Sequence, residues 1–333
     1  MSVVYKKLED VCEILDSRRV PITAKDRKAG AYPYYGANGL QDYVADYIFD
    51  DELVLLAEDG GNFGSKERPI AYRVSGKCWV NNHAHVLKAK PNMHVDYLCY
   101  ALMFYDTEGL VNGATRQKLT QAAMRQMVIP YRDMTEQLQI IEKISQIVRA
   151  IEKRKEELQL LDQLVKSRFI ELFGDPIKNT QHRPTTAFVN VVTMQRGFDL
   201  PVQDREQSGN IPVYGSNGVL DHHNQAKVCN GGVITGRSGT IGKVFYTKGA
   251  YWPLNTTLFS VDTHENNIIY LAHLLRMFNL ARFTEGTGVP TLNRNEFHSA
   301  PIIDVPIDEQ NQFAAFVEQT DKSKLCGKME VAA

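Results

Sequence analysis

The sequence lacks the features that mark membrane-spanning and secreted proteins. Its 333 residues contain no apolar run of roughly eighteen residues, the length that a membrane-spanning helix needs. The segment Met1–Asp10 carries two lysines but no apolar stretch after them, so we expect no signal peptide. The five cysteines are odd in number and form no Cys-x-x-Cys pair, which predicts reduced thiols rather than a disulfide framework. We therefore expect a cytoplasmic protein.

Metal-ligand patterns are also scarce. His83 and His85 are two positions apart and His222 and His223 are adjacent, but neither pair has an acidic or cysteine residue at a suitable spacing. We interpret these residues as satisfied loop or surface histidines. No zinc or other metal site is expected.

The chain has no excess of positive charge. It holds 38 lysines and arginines against 39 aspartates and glutamates, for a net charge of −1, whereas a free-standing DNA-binding protein is usually basic. A local basic face can still be offset by acidic residues elsewhere in the chain. If the protein binds DNA, the composition predicts modest affinity for the isolated chain, with partners supplying the remainder.

Catalytic motifs are missing as well. An amino-methyltransferase needs Asn/Asp-Pro-Pro-Tyr/Phe, and the segment that begins at Asp175 reads Asp-Pro-Ile instead. A P-loop is excluded because Gly236 and Gly242 are one residue too far apart and Val244 replaces the hydroxyl that holds magnesium. The acidic run Asp50–Glu52 is typical of a solvated strand edge. We expect no catalytic residue in this chain.

One pattern occurs twice in the sequence. Five matches recur in the same order, and the offset between the two copies drifts by a few residues, as expected of duplicated domains with loop changes. The matched pairs are Pro33–Gly39 with Pro212–Gly218, Leu55–Gly64 with Val233–Gly242, Trp79 with Trp252, Gly113–Leu119 with Gly286–Leu292, and Glu136–Ile140 with Glu309–Phe313.

Each copy reads as a mixed domain of short strands and helices. Apolar runs predict strands, helical spacing predicts short helices, and Asn-Gly pairs predict type I′ hairpin turns. We expect both tryptophans in the core. The predicted elements are strands at Leu53–Ala57 and Val244–Thr247, helices at Val95–Phe104 and Asn267–Phe278, and turns at Asn38-Gly39 and Asn217-Gly218.

A long helix is predicted between the copies, over residues 135–172. Thr135 is a suitable N-cap, and Gly174 and Pro176 end the segment. The predicted helix would be roughly 57 Å long, which exceeds the diameter of most domains. This length favours a coiled coil over an ordinary amphipathic helix that packs on a globular core. The predicted heptad seam consists of Ile141, Ile144, Val148, Ile151, Leu158, Val165 and Leu172.

The second copy ends in a shorter helix, predicted from Asp308 to about Leu325, with Phe313 and Phe316 on its apolar face. The residues after Leu325 do not continue a heptad, and we expect a tail there. Much of the central seam would then have no mate within the chain, which indicates a protein partner. The predicted organisation is residues 1–133 and 176–306 as two domains, 134–175 as the central helix, and 307–333 as the distal helix and tail.

Two pairs of loops carry residue types that contact DNA. Arg, Asn, Gln and Lys can reach base edges, while Ser, Thr, Lys and backbone amides hold phosphates. The alternative is plain hairpin turns, which we prefer for the loop glycines, whereas Arg116, Lys118 and Arg237 favour DNA contact. The predicted contacts are Ser65, Lys66, Thr115, Arg116, Gln117, Lys118, Arg237, Ser238, Lys243, Thr287, Thr291, Asn293 and Arg294.

Taken together, these features resemble the specificity subunits of type I restriction–modification systems over nearly the whole chain. The segments that carry the resemblance are Pro33–Gly39, Pro212–Gly218, Arg237–Lys243, Gly286–Leu292 and Arg168–Asp175. The resemblance implies two target-recognition domains, each reading half of a split site in double-stranded DNA. It also implies an antiparallel coiled coil of the two long helices, which acts as a ruler and docks the methyltransferase subunits.

The same resemblance assigns chemistry to other chains. S-adenosylmethionine, ATP and Mg²⁺ are expected on the methyltransferase and restriction/translocase partner subunits and not on this chain. The short distal helix departs from the family pattern, which raises an assembly-impaired specificity subunit or self-association as alternatives. A different class, a protein–protein adaptor with duplicated domains, is favoured slightly by the near-neutral charge.

Overall fold

The computed structural model describes residues 3–113, 116–206, 208–285 and 290–332. The chain divides into two compact units, unit 1 at residues 1–150 and unit 2 at residues 151–333. Both units combine helices with strands, so the predicted mixed fold class is confirmed. None of the helices in the four described ranges has the length and apolar character needed to cross a membrane.

Unit 1 is built around one six-stranded sheet. Its elements are β1 (Val4–Lys7), α1 (Leu8–Val11), β2 (Cys12–Ile14), β3 (Ala29–Gly36), β4 (Gly39–Val44), β5 (Phe49–Ala57), β6 (Ala71–Val80), β7 (Ala84–Ala89), α2 (Val95–Met103), β8 (Val111–Asn112), β9 (Lys118–Leu119), α3 (Gln121–Gln126), β10 (Val128–Tyr131) and the start of α4 (Met134–Phe173). The sheet order is β2-β7-β5-β6-β3-β4. The apolar run Leu53–Ala57 forms the buried half of β5, as predicted.

Unit 2 distributes the strands equivalent to that sheet over two sheets. After the end of α4, its elements are β11 (Thr185–Ala187), α5 (Phe188–Val191), β12 (Thr193–Arg196), β13 (Ile211–Gly215), β14 (Gly218–His223), β15 (Gly232–Gly236), β16 (Val244–Thr247), β17 (Trp252–Pro253), β18 (Thr257–Asp262), α6 (Ile268–Phe278), β19 (Thr284–Glu285), β20 (Thr291–Leu292), α7 (Arg294–His298), β21 (Pro301–Ile303) and α8 (Ile307–Ala332). The two sheet orders are β12-β18-β15-β16 and β14-β13-β17. The predicted strand at Val244–Thr247 and both predicted short helices, α2 and α6, are confirmed.

Strand register confirms the internal repeat. Tyr34 pairs with Trp79 in a parallel ladder of unit 1, and Val213 pairs with Trp252 in the parallel ladder of unit 2. Each copy of the turn motif therefore begins on a strand that lies beside the strand of the matching tryptophan. Trp252 is buried as predicted. The core prediction is wrong for Trp79, which is half-buried because its indole N–H donates to the carbonyl of Val20 at 2.7 Å.

The two Asn-Gly hairpins form where predicted, but their turns are not of type I′. That turn needs positive φ at both central residues. Gly39 has φ of 106° and Gly218 has φ of 111°, whereas Asn38 and Asn217 are absent from the described residues with positive φ. A register shift precedes each turn, so a bulge closed by glycine makes the hairpin.

A buried glutamine occupies the same position in both units. In unit 1, Gln137 Oε1 accepts from the backbone N–H of His94 at 2.8 Å, and its Nε2 donates to the carbonyl of Asn92 at 3.0 Å. In unit 2, Gln310 Oε1 accepts from the backbone N–H of Asn267 at 2.9 Å. Each amide joins the first turn of a long helix to the start of the short helix before it, because buried polar groups require hydrogen-bond partners.

The central helix α4 has nearly the predicted bounds. Its N-cap is Asp133, whose Oδ1 accepts from the backbone N–H of Glu136 at 2.9 Å. The prediction of Thr135 as the cap is wrong, because Asp133 is an equally good capping residue and stands two positions earlier. The helix ends before Gly174, which has φ of 74° as a left-handed C-terminal glycine does.

The heptad residues of α4 differ in burial. Ile141 packs against the core of unit 1, Val165 is buried in the core of unit 2, and Leu172 packs partly buried against that second core. The other four, Ile144, Val148, Ile151 and Leu158, are half-buried. Packing at the two ends is thus established, while a coiled coil along the seam stays a prediction.

The distal helix α8 is longer than predicted. It extends to Ala332, so the expected tail after Leu325 is wrong. The reason is that a single glycine, Gly327, costs only about 1 kcal/mol in a helix and is flanked by good helix formers such as Lys328 and Met329.

Within unit 2, α8 packs against α4 in the antiparallel direction. Arg154 Nη2 donates to the carbonyl of Ser323 at 3.1 Å, whereas Phe173, later in α4, contacts Phe313, earlier in α8, at a ring distance of 5.6 Å. Phe313 is fully buried, and Phe316 packs partly buried against the same core. The predicted apolar face of the distal helix is therefore a core face of unit 2.

Candidate nucleic-acid interface

The two predicted loops of unit 1 lie side by side. The backbone N–H of Gly60 donates to the carbonyl of Gln117 at 3.1 Å, and the N–H of Leu119 donates to the carbonyl of Glu58 at 2.8 Å. These bonds join the loop after β5 to the loop between β8 and β9. Residues that are 57 and 61 positions apart in sequence thus form one edge of the unit.

Unit 2 repeats this arrangement. The N–H of Leu292 donates to the carbonyl of Arg237 at 2.8 Å, and Ser238 forms a bridge with Thr291. The loop after β15 is therefore held against the strand β20, as its counterpart is in unit 1. We call these two edges the reading edge of unit 1 (residues 58–61 with 116–119) and the reading edge of unit 2 (residues 236–239 with 291–294).

The repeated Asn-Gly turn belongs to the same edge, which the sequence did not indicate. Asn38 Nδ2 donates to the carbonyl of Gly60 at 3.0 Å in unit 1. In unit 2, Lys243 Nζ donates to Asn217 Oδ1 at 2.6 Å. Both asparagines are exposed, so a side chain interpreted only as a turn residue also stands beside the predicted contacts.

The cations at the reading edge of unit 1 are each paired with an acid. Arg116 Nε lies 2.6 Å from Asp59 Oδ1, and Lys118 Nζ lies 3.1 Å from Glu58 Oε1. Glu58 also binds Arg19, with Nη1 at 2.6 Å. The side chains of Arg116 and Lys118 remain 59% and 50% exposed. The acids are more buried than the cations, so each cation keeps an exposed side that a phosphate or a base can approach.

A buried histidine supports this edge from below. His85 is fully buried, with Nδ1 at 2.6 Å from Asp16 Oδ2 and Nε2 at 2.9 Å from the carbonyl oxygen of Leu119. Both ring nitrogens of this buried histidine therefore have a hydrogen-bonding partner within the protein. The interpretation of His85 as a loop or surface histidine is wrong, because it lies inside the apolar strand β7. His223 is buried too, and its Nδ1 accepts from the N–H of Glu206 at 3.2 Å.

The acids around His85 are held in their charged form. Burial acts to raise the pKa of Asp16, but the hydrogen bond and positive charge of His85 outweigh it and bring the pKa below its ordinary value. Burial likewise acts to raise the pKa of Glu58, and the hydrogen bond from Arg19 with the charge of His85 lowers it overall. This charged network fixes the backbone at Leu119, next to Lys118.

Asp16→Asn is expected to lower the free energy of unfolding of unit 1 by about 1.5–3 kcal/mol at pH 7, because it removes a carboxylate that accepts hydrogen bonds from His85 and Val86 and leaves Glu58 as the one remaining acid of the network. The folded pKa of Asp16 lies below its ordinary value of 3.8, so its contribution is complete above that pH and is lost as pH falls through the folded pKa. Urea unfolding at pH 7 and at lower pH measures the difference, which should shrink in acid. The exposed Asp10→Asn is the control, and equal stability of the two variants would disprove the network's role.

The reading edge of unit 2 has the opposite electrostatic character. Arg196, Arg237 and Arg294 line one cavity of about 340 Å³. The hydrogen bond recorded for Arg237 is from Nη1 to the backbone carbonyl of Asn255 at 3.4 Å. Among the side chains that the structure describes, none of these three arginines forms an ion pair. A concave site with three guanidinium groups not neutralised by described acids suits phosphates or the acceptor edge of guanine.

The other predicted contacts divide into structural and exposed residues. Ser65 Oγ accepts from the backbone N–H of Arg68 at 2.9 Å and holds a turn. Asn293 Oδ1 accepts from the N–H of Asn295 at 3.1 Å and starts α7. Lys66 and Gln117 are exposed. Two further predicted contacts, Thr115 and Thr287, lie outside the described residues.

One cluster of potential metal ligands exists in the described part of the chain. Asp16, Glu58 and His85 offer ligand atoms that all lie within 4.8 Å of one another. However, both carboxylates already bind Arg19, with Nη2 at 3.6 Å from Asp16 Oδ2. A guanidinium therefore supplies the positive charge that a cation would bring, and the group fits a structural ion network.

The fold and the two edges define a duplicated recognition protein, in which one framework presents two different sets of polar side chains. The chain matches the family model for the type I restriction modification DNA specificity domain over residues 2–161 and 190–327, and it belongs to this family. The family, the internal repeat and the recognition function predicted from the sequence are thus confirmed.

Two individual relatives of this chain are specificity subunits of type I systems. A type I restriction enzyme specificity subunit of Haemophilus influenzae is 26% identical, over 95% of this chain and 87% of the relative. A type I specificity subunit of Mycoplasma pneumoniae is 19% identical, over 96% of this chain and 89% of the relative.

Solved structures show the same fold. The S subunit of a type I restriction–modification system from M. genitalium aligns with a TM-score of 0.63 at 13% identity, covering 100% of this chain and 92% of that one. A chain from a study of complex assembly in a type I system aligns with a TM-score of 0.56 at 13% identity, over 100% of this chain and 94% of that one.

Proposed function

We propose that this chain binds a bipartite, asymmetric site in double-stranded DNA and that each reading edge specifies one half of it. The observation that carries the proposal is the repeated edge itself: two loops and an Asn-Gly turn are brought together in both units, but with different side chains. Unit 1 presents Arg116 and Lys118 beside acids, whereas unit 2 presents Arg196, Arg237 and Arg294 without described acid partners. Because the two reading edges carry different side chains, we expect the two halves of the DNA site to differ in sequence.

The remaining segments supply the scaffold in this proposal. Residues 1–133 and 176–306 act as target-recognition domains, 134–175 as the spacer, and 307–333 as the distal helix. The half-buried seam of α4 pairs with α8 in an antiparallel coiled coil and docks methyltransferase subunits, which in turn recruit the restriction/translocase subunit. Support comes from the antiparallel packing of the two helices within unit 2 and from the half-exposed residues Val148, Ile151 and Leu158.

Catalysis belongs to the partners in this scheme. S-adenosylmethionine, ATP and Mg²⁺ bind to the modification and restriction subunits, and this chain contributes no catalytic group. The net charge of −1 fits such a division, because phosphate contacts made by partner chains then supply much of the affinity.

Co-expression with the neighbouring methyltransferase subunit in a methylation-free host tests the proposal. Genome sequencing for modified adenines should reveal one split motif with two unlike halves. A soluble complex that binds DNA but adds no methyl groups would favour an assembly-impaired subunit. Absence of both DNA binding and a complex would overturn the proposal and leave a protein–protein adaptor.

A further inference from the structure

Unit 2 holds the C-terminal turns of α4 in a groove between α6 and α8. Phe169 and Phe173 are fully buried there, and Val165 is nearly so. The ring of Phe169 lies 6.0 Å from that of Tyr270 and 5.4 Å from that of Phe313. The groove is thus filled by a helix with large apolar residues at positions i, i+4 and i+8.

Unit 1 contains the corresponding groove. The equivalent glutamines Gln137 and Gln310 set the offset between copies at the helix start, so Tyr97, Ile140 and Ile144 correspond to Tyr270, Phe313 and Val317. These three unit 1 residues line an apolar cavity of about 330 Å³. Its lining is Val3, Tyr5, Tyr97, Tyr100, Ala101, Pro130, Arg132, Ile140 and Ile144.

The groove of unit 1 is open where that of unit 2 is filled. Tyr5 is 62% exposed, and Val3 and Val4 are exposed beside it. Ile140 and Ile144 are only half-buried, whereas their counterparts Phe313 and Val317 are buried. An open apolar surface of this kind is characteristic of an interaction site.

A matching cation stands at both grooves. In unit 2, Arg183 Nη2 donates to the carbonyl of Leu172, in the last turn of α4, at 2.7 Å and to Glu309 at 2.8 Å. In unit 1, Arg132 lines the groove and pairs with Glu136, the counterpart of Glu309, at 3.6 Å. A cation here complements the carbonyl end of a helix. Unit 1 therefore has the charge that a helix C-terminus needs, as well as the apolar surface.

We propose that the groove of unit 1 binds the C-terminal turns of an amphipathic helix from another polypeptide, with aromatic or large aliphatic residues at i, i+4 and i+8. The helix inserts its apolar face against Tyr97, Ile140 and Ile144, and its last carbonyls accept from Arg132. This is the helix-in-groove mode of recognition. The proposal does not depend on DNA binding, and it specifies the chemistry of the occupant from the segment that fills the equivalent groove of unit 2.

The probe is a fluorescein-labelled peptide with the sequence of residues 158–175, titrated with the full chain and followed by fluorescence anisotropy. Saturable binding is expected, with a Kd on the order of 10–100 μM because a short free helix must first form. In the full chain, the C-terminal turns of α4 already fill the groove of unit 2, so the added peptide is expected to bind at the groove of unit 1. A peptide carrying both Phe169→Ala and Phe173→Ala should bind at least tenfold more weakly.

Two chain variants and one control variant locate the site. Ala101→Glu places a charge in the groove and should weaken binding at least tenfold, while Ala122→Glu, the same change at an exposed position of unit 1, should leave it unchanged. Arg132→Gln should weaken binding about threefold to tenfold through the lost helix-end interaction. Unaltered melting temperatures establish that the variants fold. Undiminished binding to Ala101→Glu, or no binding by the unaltered chain up to about 1 mM, would overturn the proposal.

Discussion

Arg237→Ala is expected to weaken binding to the half-site of unit 2 by about 10- to 100-fold. A guanidinium that reaches a guanine edge discriminates by about 1–3 kcal/mol, and no described acid neutralises Arg237 in the free chain. The measurement is a titration of labelled duplexes with the complex of this chain and its methyltransferase subunit at several salt concentrations. Sequencing of modified adenines in the same strain should show relaxed specificity in one half of the motif only.

Lys178→Ala is the matched control, because it removes one exposed positive charge from unit 2 outside the arginine-lined cavity. It should change affinity little. An Arg237→Ala effect that is equal for all sequences, with the salt slope reduced by about one, would assign Arg237 to a phosphate. Unchanged binding to every duplex would show that this cavity does not contact DNA.

Phe313→Ala is expected to destabilise unit 2 by about 3–5 kcal/mol, the usual cost of removing a fully buried phenyl ring. The ring makes edge contacts with Phe169 and Phe173 at 5.4 and 5.6 Å, so its loss also loosens α8 from α4. Hydrogen exchange read separately in each unit during urea unfolding measures the effect, because a chain with two units need not unfold in one transition.

The internal repeat supplies the control for this prediction. Ile140→Ala changes the equivalent position of unit 1, where the groove is open and the side chain half-buried, and it should cost about 1 kcal/mol. Phe313→Leu should also cost little because volume is largely kept. Equal costs for Ile140→Ala and Phe313→Ala would mean that the two grooves do not differ in packing as described.

The fold was accessible from the sequence where the signal was periodic or repeated. The repeat, helix α4 and the short helices α2 and α6 follow from patterns spread over many residues. The residue that caps the start of α4 could not be predicted from such patterns. Asp133 and Thr135 are both good N-cap residues, and only packing decides between them. The predicted end of α8 was wrong because one interior glycine costs a helix only about 1 kcal/mol and good helix formers surround it.

At the candidate interface, the sequence pointed to the loops that carry the predicted contacts, but it did not show which residues from other strands lie beside those loops. Arg116, Lys118 and Arg237 were predicted as contacts because cations on loops stand out in the sequence, and they stay predictions. Arg196 was not among the predicted contacts, because it lies on strand β12, far in sequence from Arg237 and Arg294, and only the fold brings the three arginines to one cavity. His85 was misread because a histidine that is balanced by a distant aspartate has no local signature.

The buried glutamines and the reading edges stand at opposite ends of the same strands. In unit 1, β7 starts beside the edge, where the N–H of Glu58 donates to the carbonyl of His83, and it leads towards Asn92, which is bonded to Gln137. In unit 2, β18 follows Thr256, whose carbonyl accepts from Arg237, and leads towards Asn267 and Gln310.

Six residues of extended strand separate these ends by about 20 Å. Under the proposed function, this separation would let substitutions at the edge change the DNA sequence that a unit recognises without altering the hydrogen bonds that fix the start of its long helix.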